Sequence, residues 1–329
     1  MLSSLKHKRC MLLCVVSTFA FSFICHGYRY LNLLFSGDAT LISQTGEELY
    51  QISLGRFLQP IWWRIRGPIV APFLIGLFTI CFLSISAYIL SELLQLKSPL
   101  SIVLICGLLT SHETIGIANA TYLSWSDVYT VSLFFSLLGA KLSLSKGHVF
   151  LLTPLCYIIS LGLYQSYITC AATIIVIVLL CDCLENRKTV PEIWALGLRS
   201  CLLLFFSLLF YALVLKTVLL ACAVTASTDY NGVGRVGLVS IKEFLPLIKD
   251  AYLTPIRFLF NPSDRAIMPW HISCIPVWIN CLFLGFILAL VLLSRLDKKS
   301  ALTACFLLSA LPLAANFVMI ISKDRKSVV

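Results

Sequence analysis

Gly55-Arg56-Phe57-Leu58-Gln59-Pro60-Ile61-Trp62-Trp63-Arg64 stands directly before the apolar run 68–94. Arginine and tryptophan side by side, at the edge of a stretch long enough to cross a bilayer, mark a lipid–water boundary. The decamer closes a polar segment, 26–67, which also carries Asp38, Glu47, Glu48 and Arg66 and lies between the first two apolar runs. The rest of the chain is greasy: 59% of its 329 residues are hydrophobic and 12% charged, whereas about 25% of a soluble domain is charged. Repeated apolar runs near 20 residues satisfy their own backbone as helices, as lipid requires. The alternating segments of about 10 residues that build a membrane β-barrel are absent. The expected fold is therefore an all-α polytopic membrane protein, a single integral membrane domain over 1–329.

Spans are expected near 10–30, 68–94, 99–119, 127–145, 148–163, 167–183, 200–222, 273–294 and 301–321, nine in all. Pro154 and the break Gly162-Leu163-Tyr164-Gln165 predict two helices meeting at a tight turn. Residues 1–25 have a basic start, Lys6 to Arg9, and no small-x-small cleavage site follows; they read as an uncleaved first span rather than a signal peptide. With the N-terminus inside, Lys6, Lys8, Arg9, Lys97, Lys141, Lys146, Arg187, Lys188, Arg295, Lys298 and Lys299 fall on the inner side. The short outer turns 111–126 and 164–166 carry no Lys or Arg, the asymmetry that sets orientation. Two long segments, 26–67 and 223–272, then face outward. Nine spans put the C-terminus outside, and the chain stops at Ser322-Lys323-Asp324-Arg325-Lys326, as expected either of a truncated relative of a longer protein or of a miscounted ninth span.

The net charge of +10 reads as Lys and Arg flanking helices beside anionic headgroups, with membrane lipids and not nucleic acid as the partner. The 14 Cys lie mostly in apolar runs, where they act as small hydrophobes. Cys181 and Cys183 form a C-x-C without a second ligand cluster nearby, so no metal is implied; nor is there an Asp-x-Asp pair, although isolated carboxylates can still bind a divalent ion. The absence of G-x-x-x-x-G-K-[ST] and of kinase signatures excludes a nucleotide engine. Energy must arrive with the substrate or an ion gradient.

Chemistry-bearing residues concentrate on the outer side. Asp38, in Phe35-Ser36-Gly37-Asp38-Ala39-Thr40, is a carboxylate at the membrane surface, a general base if partly desolvated or a turn residue capping the next helix. Glu47 and Glu48 suit the start of an interfacial helix. Arg56 offers a fork of donors to a phosphate, with Arg64 nearby. Trp62 and Trp63 fit an aromatic belt and can also stack on a sugar. Glu113 and Asp127 flank an apolar wedge in the second outer turn; Asp127 or Ser126 can cap the following helix, and an acid at membrane depth is a functional candidate. Tyr164, Gln165 and Tyr167 can line the same outward cavity. In 223–272, Arg257 and Arg265 are further phosphate candidates within a mixed-charge cap carrying surface helices.

The basic-flanked first span, the acidic outer loop, Gly55-Arg56-Phe57 with Pro60, Tyr122-Leu123-Ser124-Trp125-Ser126-Asp127-Val128-Tyr129 opening span four, and Tyr164-Gln165-Ser166-Tyr167 together resemble the bacterial and phage O-antigen glucosyltransferases, the serotype-converting membrane enzymes. The likeness runs over about residues 10–295, with the Gly-Arg-aromatic element as its strongest part. It implies a GT-C-type enzyme at the outer face of a bacterial inner membrane. Such an enzyme takes a sugar from a polyprenyl-phosphate carrier and passes it to a cell-surface glycan, without a cofactor. It further implies an essential acid in the first outer loop, which maps onto Asp38. A doubled acidic motif is common there, and a single acid precedes Ala39 here, so Glu47 and Glu48 stand as alternatives. Substrate contacts would come from Glu47, Glu48, Arg56, Trp62, Arg64, Glu113, Asp127, Tyr129 and Gln165. Rival functions are a flippase or transporter of lipid-linked sugars, an O-antigen polymerase, and a non-enzymatic assembly factor. The first usually shows inverted repeats and polar residues buried in mid-span, and no internal repeat is visible.

Overall fold

The computed structural model describes residues 2–34, 47–67, 69–227, 241–260, 277–286 and 296–318. Thirteen α-helices run through them: α1 (Leu2–Leu31), α2 (Glu47–Ser53), α3 (Gln59–Arg66), α4 (Pro72–Leu93), α5 (Pro99–Ser111), α6 (Glu113–Thr121), α7 (Leu123–Ser143), α8 (Thr153–Leu163), α9 (Ile168–Leu184), α10 (Val190–Ala221), α11 (Ile241–Phe260), α12 (Val277–Phe286) and α13 (Lys298–Ala315). Short 3-10 turns, Gly147–Leu152 and Gln165–Tyr167, lead into α8 and α9. No strand occurs among the described residues.

Helix starts follow from local chemistry. Prolines sit in the first turn of α3, α4, α5 and α8, where the missing N–H is not needed. The Asp297 carboxylate caps α13 by accepting from the Lys299 N–H at 3.1 Å. Gln95, Asn186 and Ala223 take positive φ just past the ends of α4, α9 and α10, the left-handed turn that closes a helix C-terminus.

Among the described residues, five helices are long and apolar enough to cross a bilayer: His7–Leu31, Pro72–Leu93, Gln165–Leu184, Val190–Ala221 and Lys298–Ala315. The all-α membrane fold is borne out; the described residues do not by themselves reach the expected nine spans, one of which, 273–294, lies partly outside them. The run 99–119 is two helices, α5 and α6, bent by 42° at His112, and counts as a sixth span only if the bent pair is one. The run 148–163 falls in a short apolar helical segment, Gly147–Leu163, whose first part is a 3-10 turn. The run 127–145 corresponds to α7, whose 21 residues include Asp127, Lys141 and five serines. An enclosed helix has no need of a lipid-compatible surface, and α7 is enclosed, lying against both α4 and α8. Of the run 273–294, the described part is α12.

The chain divides into two compact units, Met1–Ala171 with Arg199–Ala226, and Ala172–Leu198 with Ser227–Val329. In the first, α1 packs on α4 and α5, α4 on α7, and α7 on α8. Small residues draw the last pair together: a Cβ on Gly139 would lie 2.3 Å from the Tyr157 ring. Ser132 and Ser160 exchange bonds with each other's backbone carbonyls at 2.9 Å, and Ser136 donates to the Tyr167 carbonyl at 2.6 Å. Close small-residue contact and interhelical hydrogen bonds join helices where lipid removes the hydrophobic drive. At one end of these helices, Glu92 gathers His7 at 2.8 Å, Tyr88 at 2.6 Å and Lys141, tying α1, α4 and α7. At the other end Arg29 donates to the Asn119, Ala120 and Leu34 carbonyls, holding the end of α1 to α6.

In the second unit, α11 rests on α13, where Tyr252 donates to the Ser309 carbonyl at 2.7 Å and Asn316 to the Ala251 carbonyl at 3.0 Å. Cys183 Sγ meets the Ser300 carbonyl at 3.3 Å. Asp182 is buried at the end of α9 with Lys188 and Arg187.

Candidate functional site

Within the first unit, residues 47–67 form α2, a tight turn and α3. Leu54, Gly55 and Arg56 close the turn, with Gly55 N–H donating to the Ile52 carbonyl and Arg56 N–H to the Gln51 carbonyl, both at 2.9 Å. Gly55 has φ +83°, a conformation that costs any other residue about 1–3 kcal/mol. Space forbids a side chain as well: a Cβ there would sit 2.5 Å from the Tyr211 hydroxyl and 2.6 Å from Gln165 Nε2.

Those two side chains grip the turn. Tyr211 on α10 donates to the Gly55 carbonyl at 2.9 Å. Gln165, in the turn between α8 and α9, donates to the Leu54 carbonyl at 2.7 Å and reaches the Tyr211 hydroxyl at 3.1 Å. Phe57 stacks on Tyr211 with centroids 5.8 Å apart, and Leu58 N–H donates to the Gly162 carbonyl at 2.9 Å. Gln59, fully buried, donates to the Leu163 carbonyl at 2.7 Å. The Gly-Arg-Phe element is thus held on both sides of its arginine.

Arg56 itself is half-buried. Its Nη1 donates to Gln51 Oε1 at 3.2 Å, and Gln51 Nε2 donates to Glu47 Oε1 at 2.7 Å. The guanidinium lies over the Tyr164 ring, 4.8 Å from its centroid, and Tyr164 packs on Tyr129 at 4.5 Å. Glu47, Gln51, Arg56, Tyr164 and Tyr129 therefore form one line of contacts. Burial holds the Glu47 carboxyl above the usual carboxylate range, against the Gln51 amide and the Arg56 charge, which pull it down.

A second polar centre lies under α3. Asp127, fully buried in the second turn of α7, accepts from Arg66 Nη1 on one oxygen and from Trp62 Nε1 on the other, both at 2.7 Å. Arg66 also donates to the Ser124 carbonyl at 2.8 Å. Asp127 does not start its helix as expected: Tyr122 is the N-cap and α7 begins at Leu123. Burying this acid is tolerable because a cation and an indole N–H meet it. The seam is unusually polar, since Arg66 Nε and Nη2, Trp63 Nε1, Gln59 Oε1 and Ser124 Oγ are buried without a hydrogen-bond partner. Trp63 packs on Trp125 at 3.9 Å.

The other expected residues are scattered. Glu48 pairs with Arg64 at 2.8 Å on the exposed side of α2 and α3. Glu113 is exposed at the first position of α6, an environment unlike that of Asp127. Arg257 is exposed in the last turn of α11, in the other unit. Asp38, the expected base, and Arg265 lie outside the described residues. Among the described residues no three His, Cys, Asp or Glu side chains come together as a metal site.

Sequence reading passed over Gln51, Gln59, Arg66 and Tyr211 as site residues, although Gln59 and Arg66 stood within the polar segment 26–67. Tyr164 was expected as a lining residue of the outward cavity and lies under Arg56. Nothing in the chain pointed to Tyr211, a tyrosine 46 residues from Gln165 in an otherwise ordinary apolar helix.

A family profile described as Glucosyl transferase GtrII matches residues 27–329. Comparison with curated proteins and with solved structures returned no match.

Proposed function

The chain belongs to the GtrII glucosyl transferase family, a glycosyltransferase with a membrane-type all-α fold, and from that premise we propose that it moves glucose from a polyprenyl-phosphate carrier to a cell-surface glycan such as O-antigen. The site faces outward from a bacterial inner membrane, within a fold of up to nine spans. The observation that supports this reading is the Gly55-Arg56-Phe57 turn, which tertiary contacts from α8, the turn between α8 and α9, and α10 hold with its arginine beside a carboxylate line and a tyrosine pair.

In this reading an acceptor hydroxyl attacks the anomeric carbon of the lipid-linked sugar, and its proton passes to a carboxylate. Asp38 takes that role, with Glu47 its rival because burial already raises the affinity of Glu47 for a proton. The bond from the anomeric carbon to the phosphate oxygen breaks, and the phosphate leaves on its lipid. Arg56 is the donor that meets its charge. Trp62, Tyr129, Gln165, Glu48, Arg64, Glu113 and Asp127 shape or support the surroundings. The donor arrives activated, so neither a nucleotide-binding fold nor a cofactor is required.

The test is transfer by membranes supplied with polyprenyl-phosphate-glucose and the host lipopolysaccharide. Asp38→Asn is expected to abolish transfer at unchanged expression. Full transfer by that variant would remove Asp38 from the mechanism, and Glu47→Gln would then be measured in its place.

A further inference from the structure

We propose that Tyr211 is a positioning residue: through its bond to the Gly55 carbonyl it sets the place of Arg56, and so the affinity for the phosphate of the sugar donor. The inference rests on the reading of Arg56 as the phosphate-binding group. Four observations carry it. The Tyr211 hydroxyl donates to the Gly55 carbonyl at 2.9 Å, so it holds the peptide unit that joins Gly55 to Arg56. Gln165 meets the same hydroxyl at 3.1 Å while donating to the Leu54 carbonyl at 2.7 Å, which makes the grip two-sided. Phe57, on the far side of Arg56, stacks on the Tyr211 ring. Gly55 leaves no slack, because a single added carbon would collide with both gripping groups.

The physical consequence concerns the backbone. An arginine side chain is long and rotamer-rich, and ordering one on binding has an entropic cost. A turn held from two elements fixes the Arg56 Cα, so that only the side chain remains to be placed. Without the hydroxyl, the Leu54–Gly55 turn keeps its Gln165 bond and its local bonds, and the protein folds. The guanidinium then samples a wider region, and donor binding weakens before acceptor binding does.

The experiment uses the full chain in detergent or membranes, with polyprenyl-phosphate-glucose titrated against saturating acceptor and then the reverse. Four proteins are compared: wild type, Tyr211→Phe, Arg56→Ala and the double variant. Tyr211→Phe keeps the ring on Phe57 and removes only the hydroxyl. It is expected to raise the donor KM about three- to tenfold, the scale of one lost hydrogen bond, with the acceptor KM unchanged. In the Arg56→Ala background the same substitution is expected to have no further effect on the donor KM, because the residue it acts through is gone. An equal rise in both backgrounds, or an equal rise in both KM values, would overturn the positioning role in favour of a general structural one. A donor KM unmoved by Arg56→Ala would instead overturn the reading of Arg56 beneath it. If Arg56→Ala raises the donor KM and Tyr211→Phe does not, the reading stands and the inference fails. Should Tyr211→Phe fail to accumulate, Gln165→Met, which removes the other half of the grip, takes its place with the same expected split. Loss of folded protein in both would show the grip to be structural and overturn the inference.

Discussion

Two acid–arginine pairs hang from α3 two residues apart, and they differ in nearly every respect. Arg64 meets Glu48 at 2.8 Å with side chains 74% and 45% exposed. Arg66 meets Asp127 at 2.7 Å with side chains 1% and 0% exposed. The distances are almost the same and the energetics are not. An exposed pair is screened by water and worth about 0–1 kcal/mol. A buried pair gains little over an apolar packing, yet removal of one partner strands a charge at a cost of about 3–5 kcal/mol. One pair decorates the site segment and the other anchors it. Arg56 belongs to neither class, since it is half-buried against an amide and a ring and supported by its backbone.

The largest predicted effect breaks the anchor. Asp127→Ala should destabilise the protein by about 3–5 kcal/mol, read as loss of monodisperse protein in detergent or a large fall in thermal midpoint. Replacing both partners by apolar residues, as in Arg66→Met with Asp127→Leu, should recover most of that loss. If the single variant were as stable as wild type, the contrast between the pairs would collapse.

Next comes the turn between them. Gly55→Ala should cost about 1–3 kcal/mol from its backbone angle and should lower transfer more than stability, because the collision falls on Tyr211 and Gln165. Equal loss of both would place the turn outside the site.

A smaller effect concerns pH. Glu47 holds its proton more tightly in the folded protein than in the unfolded chain. Its contribution is therefore full below the ordinary carboxylate range and is lost as pH rises through the raised value. Glu47→Gln should remove that slope, so the variant gains on wild type as pH climbs past the carboxylate range. Thermal unfolding across that range reads it, and parallel curves would contradict the raised affinity.

The smallest effect sharpens the other side of the comparison. Glu48→Gln should change stability by no more than about 1 kcal/mol and leave transfer within twofold. A large loss of transfer would move Glu48 from the exposed pair into the chemistry.

Composition and run length were enough to read an all-α membrane protein, because lipid leaves a spanning chain few ways to satisfy its backbone. Local chemistry also carried the helix start at Glu47, the turn at Gly162–Gln165 and the weight placed on Gly55-Arg56-Phe57. The number of spans was less legible. Hydropathy measures a residue's preference for lipid, and α7 lies against protein on two sides, so its serines and Asp127 misstate its place. Which acid pairs with which base was not legible at all. Arg64 and Arg66 sit in the same decorated stretch, and only the packing of α3 on α7 buries one and leaves the other in water. Tyr211 and Gln165 are far from Gly55 in sequence, and their grip exists because α10 and the α8–α9 turn meet at the two peptide units that flank Gly55. Charge, hydropathy and turn chemistry are properties of neighbours along the chain and can be read there. Burial and the partner of a polar atom are properties of neighbours in space, and the folded chain alone determines them.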